Sequence, residues 1–438
     1  MVKIYDIESA RRTILNRNID EGQGYPPVLL ESVERIFGPG VEPAEAVAQI
    51  LSSVRVGGDT ALERWMEILD HTKLVELRIP FHEITAARDG LSDSLLEALN
   101  KSASRIRAFH ERQPIPTWTT KDLGGILGQR IFPIRRVGVY VPGGSAPLPS
   151  SLLMSVIPAQ VAGVEQIVVC TPPRPHPTIL AAAEICGIEE LYQVGGAQAI
   201  AAMTYGTKSI PKVDKIVGAG NIFVTLAKQQ VYGTVGLDGL AGPTETMIIA
   251  DSSANPSWIA ADLLAQAEHD PLASAILLTT DQDVAEAVQR KIANQMEELS
   301  RAEIISQSLS HRGGIVMVPD LDTAASLANE FAAEHLCLSV MDPEALSQKI
   351  HNAGGIFIGE RSFEVLGDYV AGPSHIMPTG GTARFASPLN VLDFVKITSW
   401  FALDPETCES ISSIAVELAQ AEGLTAHKAA AQQRIRST

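Results

Sequence analysis

Histidines, carboxylates and one glutamine collect in four segments of a sequence that is otherwise small and apolar. NPSWIAADLLAQAEHD carries Gln266 and His269, and AAEHL carries the adjacent pair Glu334 and His335. GDYVAGPSHIMPTGG carries Asp368 and His375, and EGLTAHKAA carries Glu422 and His427. One nitrogen-rich zinc site with a base beside it would use side chains of these types. An enzyme is the leading reading.

Each segment has its own local logic. Asn255 is a suitable N-cap, Pro256 fits the first helical position and Pro271 ends the run. On that helix Asp262, Gln266 and His269 share one stripe, so Gln266 and His269 can reach one point near its C-terminus. Taken alone, the stripe reads more readily as a solvated face. The loop RSFEVLGDYVAGPSHIMPTGGTARFASPL is dense in Gly and Pro, which holds the backbone in turns, and its length points to function. Glu334–His335 is expected to close a helix before the strand LCLSV. A helix C-terminus and a neighbouring carboxylate both favour the charged imidazole, tuning it for proton exchange. A salt-bridged helix end explains the same pair, and His427 is open to the same plain reading. Cys337 alternates with leucines and reads as a buried strand residue without a chemical role.

These residues need a scaffold, and the chain has room for more than one domain at 438 residues. Apolar residues make up 45% but aromatics only 5%, so the cores are aliphatic. The net charge of −17 argues against nucleic acid and anionic membranes as partners. The N-terminus shows no signal peptide, no segment is apolar enough to span a bilayer, and four cysteines lack any CxxC. Cytoplasmic residence is expected.

Residues 1–38 read as a polar helical arm without strand signal, and 39–136 as mainly helical with a loop from Pro114 to Gly128. From Val137 to Gly242, and again after GPTE, strands alternate with helices of about ten residues. The fold class is therefore α/β: two doubly wound, incomplete Rossmann-like parallel-sheet modules with small helical N- and C-terminal units. The expected domains are 137–242, a discontinuous 39–136 plus 243–388, and a helical 389–438. Gly218-Ala219-Gly220-Asn221-Ile222-Phe223 is a partial dinucleotide fingerprint, with Phe at the third glycine. Both it and PGGS at 142–145 could cradle a ligand or simply turn the chain.

In combination and order, GPTE, AADLLAQAEHD, AEHL, GDYVAGPSHIMPTGGTARF and EGLTAH resemble the histidinol dehydrogenase family. VGVYVPGGSAPLPSSLLM, QVGGAQAIAA and GAGNIFVTLAK resemble its nucleotide-binding half, and the likeness runs from about Val54 to about Ala430. The resemblance implies one zinc held by Gln266, His269, Asp368 and His427, with Glu334 and His335 as the acid–base pair. It implies NAD contacts at Tyr140, Gln198 and Asn221, and substrate contacts at Thr244, His375 and Glu422 as well as at the zinc and acid–base residues. It further implies oxidation of L-histidinol to L-histidine, and a homodimer whose C-terminal unit reaches the neighbouring site. Two positions depart from the usual pattern: Thr244 for Ser, and Ser374 for Asn. The second leaves room for another small polar alcohol, such as a sulfonated diol, although Glu422 and His375 favour histidinol. A zinc hydrolase, with Glu334 activating water and no nucleotide, is the reading from another class. A non-catalytic zinc-binding relative is a third.

Overall fold

The computed structural model describes residues 2–17, 25, 27–73, 76–143 and 147–435. In chain order its strands are β1 (Ile4–Tyr5), β2 (Trp118–Thr120), β3 (Ile126–Pro133), β4 (Arg136–Tyr140), β5 (Gln166–Thr171), β6 (Glu190–Gln193) and β7 (Lys215–Val217). They continue as β8 (Gly236–Leu237), β9 (Glu245–Ala250), β10 (Ser274–Thr279), β11 (Gly313–Met317), β12 (His335–Ser339), β13 (Gly355–Ile358) and β14 (Val395–Ala402).

Runs such as IVVC and MIIA are apolar at every position, which suits parallel strands covered on both faces. They build two parallel sheets, ordered β6-β5-β4-β7-β8 and β1-β11-β10-β9-β12-β13. Both wind alike: three successive strands step outward on one side, and the next two return to the other. Each sheet therefore has one topological switch point, between β4 and β7 and between β9 and β12. Alternation along the strands feeds separate cores. Ile248 and Cys337 face the helices Pro256–Ala267, Gln282–Met296 and Ala302–His311, while Met247, Ile249 and Leu336 face Leu321–Phe331.

The packing corrects the expected grouping of 39–136 with 243–388. The helix Pro43–Gly57 presents Val47, Ile50, Leu51 and Val54 on one stripe and buries them against the five-stranded module. Each such side chain contributes about 1.5–3 kcal/mol, so Val54→Asp would break the contact. Ile84, Leu99 and Ile106 cover that module's other face. Backbone pairing agrees: the Ile79 N–H donates to the Leu191 carbonyl at 2.9 Å. The early helices thus complete the first module.

Two further expectations change. In the arm, whose residues 1, 18–24 and 26 lie outside the described set, Ile4 and Tyr5 form β1 and extend the six-stranded sheet beside β11. The 114–128 loop and the C-terminal unit share an antiparallel sheet ordered β14-β3-β2. Leu389, Val391 and Phe394 are buried with the first module, so only the helices Pro405–Ala421 and Thr425–Gln432 stand apart. Gly144 and Ser145 of PGGS are also outside the described residues.

Candidate active site

Thr244 and Glu334 each immediately precede a strand at the β9/β12 switch point, and His335 opens β12 rather than closing a helix. The preceding helix already ends at Phe331, with Ala332 left-handed at φ 53. Glu334 Oε2 accepts from Thr244 Oγ1 at 2.6 Å and from the Glu245 N–H at 3.1 Å. Burial pushes this carboxyl up to about 7. His335 Nδ1 lies 3.2 Å from the Glu245 carbonyl, to which it can donate, leaving Nε2 as the free nitrogen. That Nε2 is buried without a hydrogen-bond partner and lies 3.6 Å from Asp368 Oδ1. Burial would lower the imidazole, but Glu364, Glu334 and Asp368 together hold it up to about 10. Glu245 is itself anchored by Arg17, whose guanidinium binds the Glu245 carboxylate and the Phe331 carbonyl and stacks 3.8 Å from the Phe331 ring.

Thr244 also orients Gln266. Its hydroxyl proton goes to Glu334, so it accepts from Gln266 Nε2 at 2.8 Å and the amide carbonyl must face the other way. Gln266 Oε1 is buried and unpartnered, in a side chain 0% exposed. His269 lies in the turn after the helix, its N–H on the Gln266 carbonyl at 3.3 Å. It is open at the surface, yet enough protein surrounds it that desolvation lowers its imidazole; the Asp368 charge opposes that shift. Asp368, which burial would raise, is held low by His335 and then by His375 and His269. Gln266, His269, Asp368, Glu334, His335 and Thr244 thus converge at one place.

Among the described residues, His335, Glu364 and Asp368 have ligating atoms all within 4.8 Å of one another. Glu364 is 1% exposed, accepts from Thr246 Oγ1 and is pushed up to about 7 by burial. The sequence reading missed it, although Glu364 and Asp368 stand at i and i+4 of the short helix Glu364–Tyr369, one face of one turn. Of the candidate metal donors, the Gln266 oxygen is unpaired whereas Glu364 is tied to Thr246, which favours Gln266.

His375 and Ser374 tie the loop to the helix Pro149–Val161. His375 Nδ1 lies 2.7 Å from the Asp368 carbonyl and Nε2 3.1 Å from Ser151 Oγ; burial keeps this imidazole below its usual value. Ser374 Oγ donates to the Met154 carbonyl at 3.3 Å and accepts from the Ile376 N–H at 3.2 Å. The serine that departs from the family pattern is therefore occupied by backbone. Glu422 and His427 are not brought to this cluster: both are exposed on the C-terminal helices, which pack chiefly on each other.

The three remaining positions line a cavity of about 380 Å³ beyond the C-terminal ends of β4, β5, β6 and β7. Tyr140 Oη accepts from the Gly196 N–H at 3.0 Å and is raised to about 12 by burial. Asn221 caps the helix Ile222–Val231 through the Val224 N–H at 3.2 Å. Gly218 has φ +108, and a Cβ there would lie 2.2 Å from the Tyr140 carbonyl, so the turn requires glycine. Gln198 donates from Nε2 to Asp70 Oδ2 at 3.1 Å. Burial raises the Asp70 carboxyl, opposed by Gln198 and His71. Asp70 follows the helix Asp59–Leu69, and nothing near it in sequence marks it.

Two alternately wound parallel sheets, with a buried acid–base pair at one switch point and a cavity at the other, define an α/β enzyme of the two-module type. Residues 33–435 match the family model for histidinol dehydrogenase. This chain belongs to the histidinol dehydrogenase family. It is 48% identical over 417 residues to histidinol dehydrogenase of Deinococcus radiodurans, covering 94% of this chain and 95% of that one. It is 49% identical over 391 residues to the enzyme of Thermus thermophilus, with coverage of 89% and 94%. The crystal structure of histidinol dehydrogenase from Elizabethkingia anophelis superposes with a TM-score of 0.88 at 35% identity, covering 99% of this chain and 98% of that one.

Proposed function

We propose that this chain oxidises L-histidinol to L-histidine through L-histidinaldehyde, in the last steps of histidine biosynthesis, using zinc and NAD. The observation that carries the reading is the Gln266–Thr244–Glu334 relay, with His335 next in the chain, in which Gln266 Oε1 and His335 Nε2 are both buried and unpaired. An orphaned amide oxygen, together with the electrostatically coupled pair Asp368 and His269, makes a donor set of the types that suit zinc. Gln266, His269 and Asp368 would hold it, with His427 as the fourth ligand. When bound, zinc would orient and polarise the alcohol, and two NAD in turn would each accept one hydride.

The chain's own residues move the protons. With a cation bound at Asp368, the imidazole loses one of the charges that hold it protonated. His335 Nε2 would then take the hydroxyl proton as hydride leaves the carbinol carbon; its Nδ1–H on the Glu245 carbonyl fixes the ring for this. In the second step Glu334 takes a proton from water as the oxygen adds to the aldehyde. The hydrate then loses a second hydride and a proton, giving the acid. A carboxyl near 7 is suited to that base role.

The same proposal includes a homodimer. Ile411, Ile414, Leu418 and Leu424 form an exposed apolar stripe on the projecting C-terminal helices. Pairing would cover it and bring Glu422 and His427 to the neighbouring site. Cytoplasmic residence accords with four cysteines that are all free. Among the described residues no helix is long and apolar enough to cross a membrane.

The test is NADH formed per L-histidinol consumed, with a chelated control. Two NADH, lost on chelation, are expected. One NADH would overturn the two-step reading, and none would overturn the substrate.

A further inference from the structure

The cavity at the β4/β7 switch point has an unusual floor. Asp70 carries the only charge among its described lining residues, and no lysine, arginine or histidine joins it. A carboxylate only accepts, so Gln198 must present Nε2 to Asp70 and turn its carbonyl away. Gln198 Oε1 is then buried with no partner, in a side chain 1% exposed. A Cβ built on Gly196 would lie 2.7 Å from that oxygen, so glycine there keeps the approach from the cavity open. The apolar surfaces of Ile36, Phe37 and Leu69 and the flat rings of Pro142 and Pro172 leave space suited to an adenosine.

We propose that Asp70 is a specificity-determining positioning residue: by fixing the Gln198 carbonyl toward the cavity, it selects a cofactor whose adenosine end offers an uncharged hydrogen-bond donor there. This rests on the NAD reading given above and deepens it. An oxygen acceptor at that point meets Oε1 lone pair to lone pair, and a phosphate also meets the Asp70 charge with no basic residue among the described lining to receive it. Two donors of NAD have this chemistry, the adenine 6-amino group and a ribose hydroxyl.

The experiment compares kcat/KM for NAD, deamino-NAD and NADP in the holoenzyme and in Asp70→Asn. Deamino-NAD replaces the amine by an oxo acceptor; NADP replaces the 2′-hydroxyl by phosphate. The unsubstituted enzyme is expected to disfavour one analogue by about 30-fold or more, within the range that hydrogen-bond mispairing provides. In Asp70→Asn the amide can turn over, and that discrimination should fall about tenfold. Collapse with deamino-NAD assigns the amine, and collapse with NADP assigns the hydroxyl. Gln198→Met, similar in length without the acceptor, should collapse the same ratio and covers any folding defect in the first variant. Ratios in both variants that stay within about twofold of the unsubstituted enzyme would overturn the role of Asp70. Failure of the unsubstituted protein to bind ADP-ribose by calorimetry would instead overturn the NAD reading itself.

Discussion

In the five-stranded sheet the cavity lies beyond the C-terminal ends of the strands, where the helices Gly196–Tyr205 and Ile222–Val231 begin. In the six-stranded sheet the donor cluster lies before the N-terminal ends of β9 and β12, where Pro256–Ala267 and Leu321–Phe331 end. The winding is the same and the edge is opposite. Helix N-termini carry partial positive charge and suit a pyrophosphate; helix C-termini carry partial negative charge and suit a cation. One architecture can thus serve two ligands of opposite charge by using its two edges. Both sites share a second device. In each, an acidic side chain, Asp70 directly or Glu334 through Thr244, turns a buried glutamine so that its carbonyl oxygen is left free.

The sharpest way to break this comparison is to remove the base and leave the metal donors. His335→Ala is expected to lower turnover about 10²–10⁴-fold, while zinc content by atomic emission stays at the unsubstituted level. Zinc lost with the imidazole would make His335 a ligand. Glu334→Gln should slow aldehyde oxidation at least about tenfold more than alcohol oxidation, since only the former needs a base for water. Equal loss in separately assayed half-reactions would refute that division. Gln266→Leu should weaken zinc binding about 10–100-fold in a chelator competition and leave ADP-ribose affinity unchanged. A drop in both would mean the two edges are coupled.

The pH dependence of metal-free protein is a gentler probe of the second edge. Glu334 and Glu364 are raised from 4.5 to about 7, and His335 from 6.5 to about 10. All three bind protons more tightly when folded, so the folded state gains below the unfolded values and loses as pH rises. The melting temperature should fall from about pH 5 to about pH 10, first through the carboxyls and then through the imidazole. Glu364→Gln should flatten the lower part of that fall; an unchanged profile would contradict the burial argument. The smallest effect expected is at Cys337. Burial raises its thiol well above the usual range, so it holds no thiolate for an acyl-transfer route. Cys337→Ala should cost about 1 kcal/mol in denaturant unfolding and leave two NADH per histidinol.

The strand–helix alternation was legible because its signals are local. Apolar runs mark covered parallel strands, and Asn255–Pro256 or Asn221 mark helix starts within a few residues of the helices they cap. The loop expected from Pro114 to Gly128 holds β2 and the start of β3 because the long partner of β3, β14, lies some 270 residues on, where no local pattern shows it; Gln129 pairs with Ser399. Helices 43–110 carry clear apolar stripes, but a stripe does not say which sheet it will cover. Glu364 had a weak signal in its spacing from Asp368, and Asp70 had none.

Composition, alternation and the order of the motif segments were enough to specify an α/β enzyme of this family. Tertiary structure alone decided which edge of each sheet the site side chains occupy, and which way each glutamine amide faces. The physical reason is that amide orientation is set by what the hydrogen-bond partner can accept. Those partners lie 22 residues from Gln266 and 128 from Gln198, beyond the reach of any local pattern.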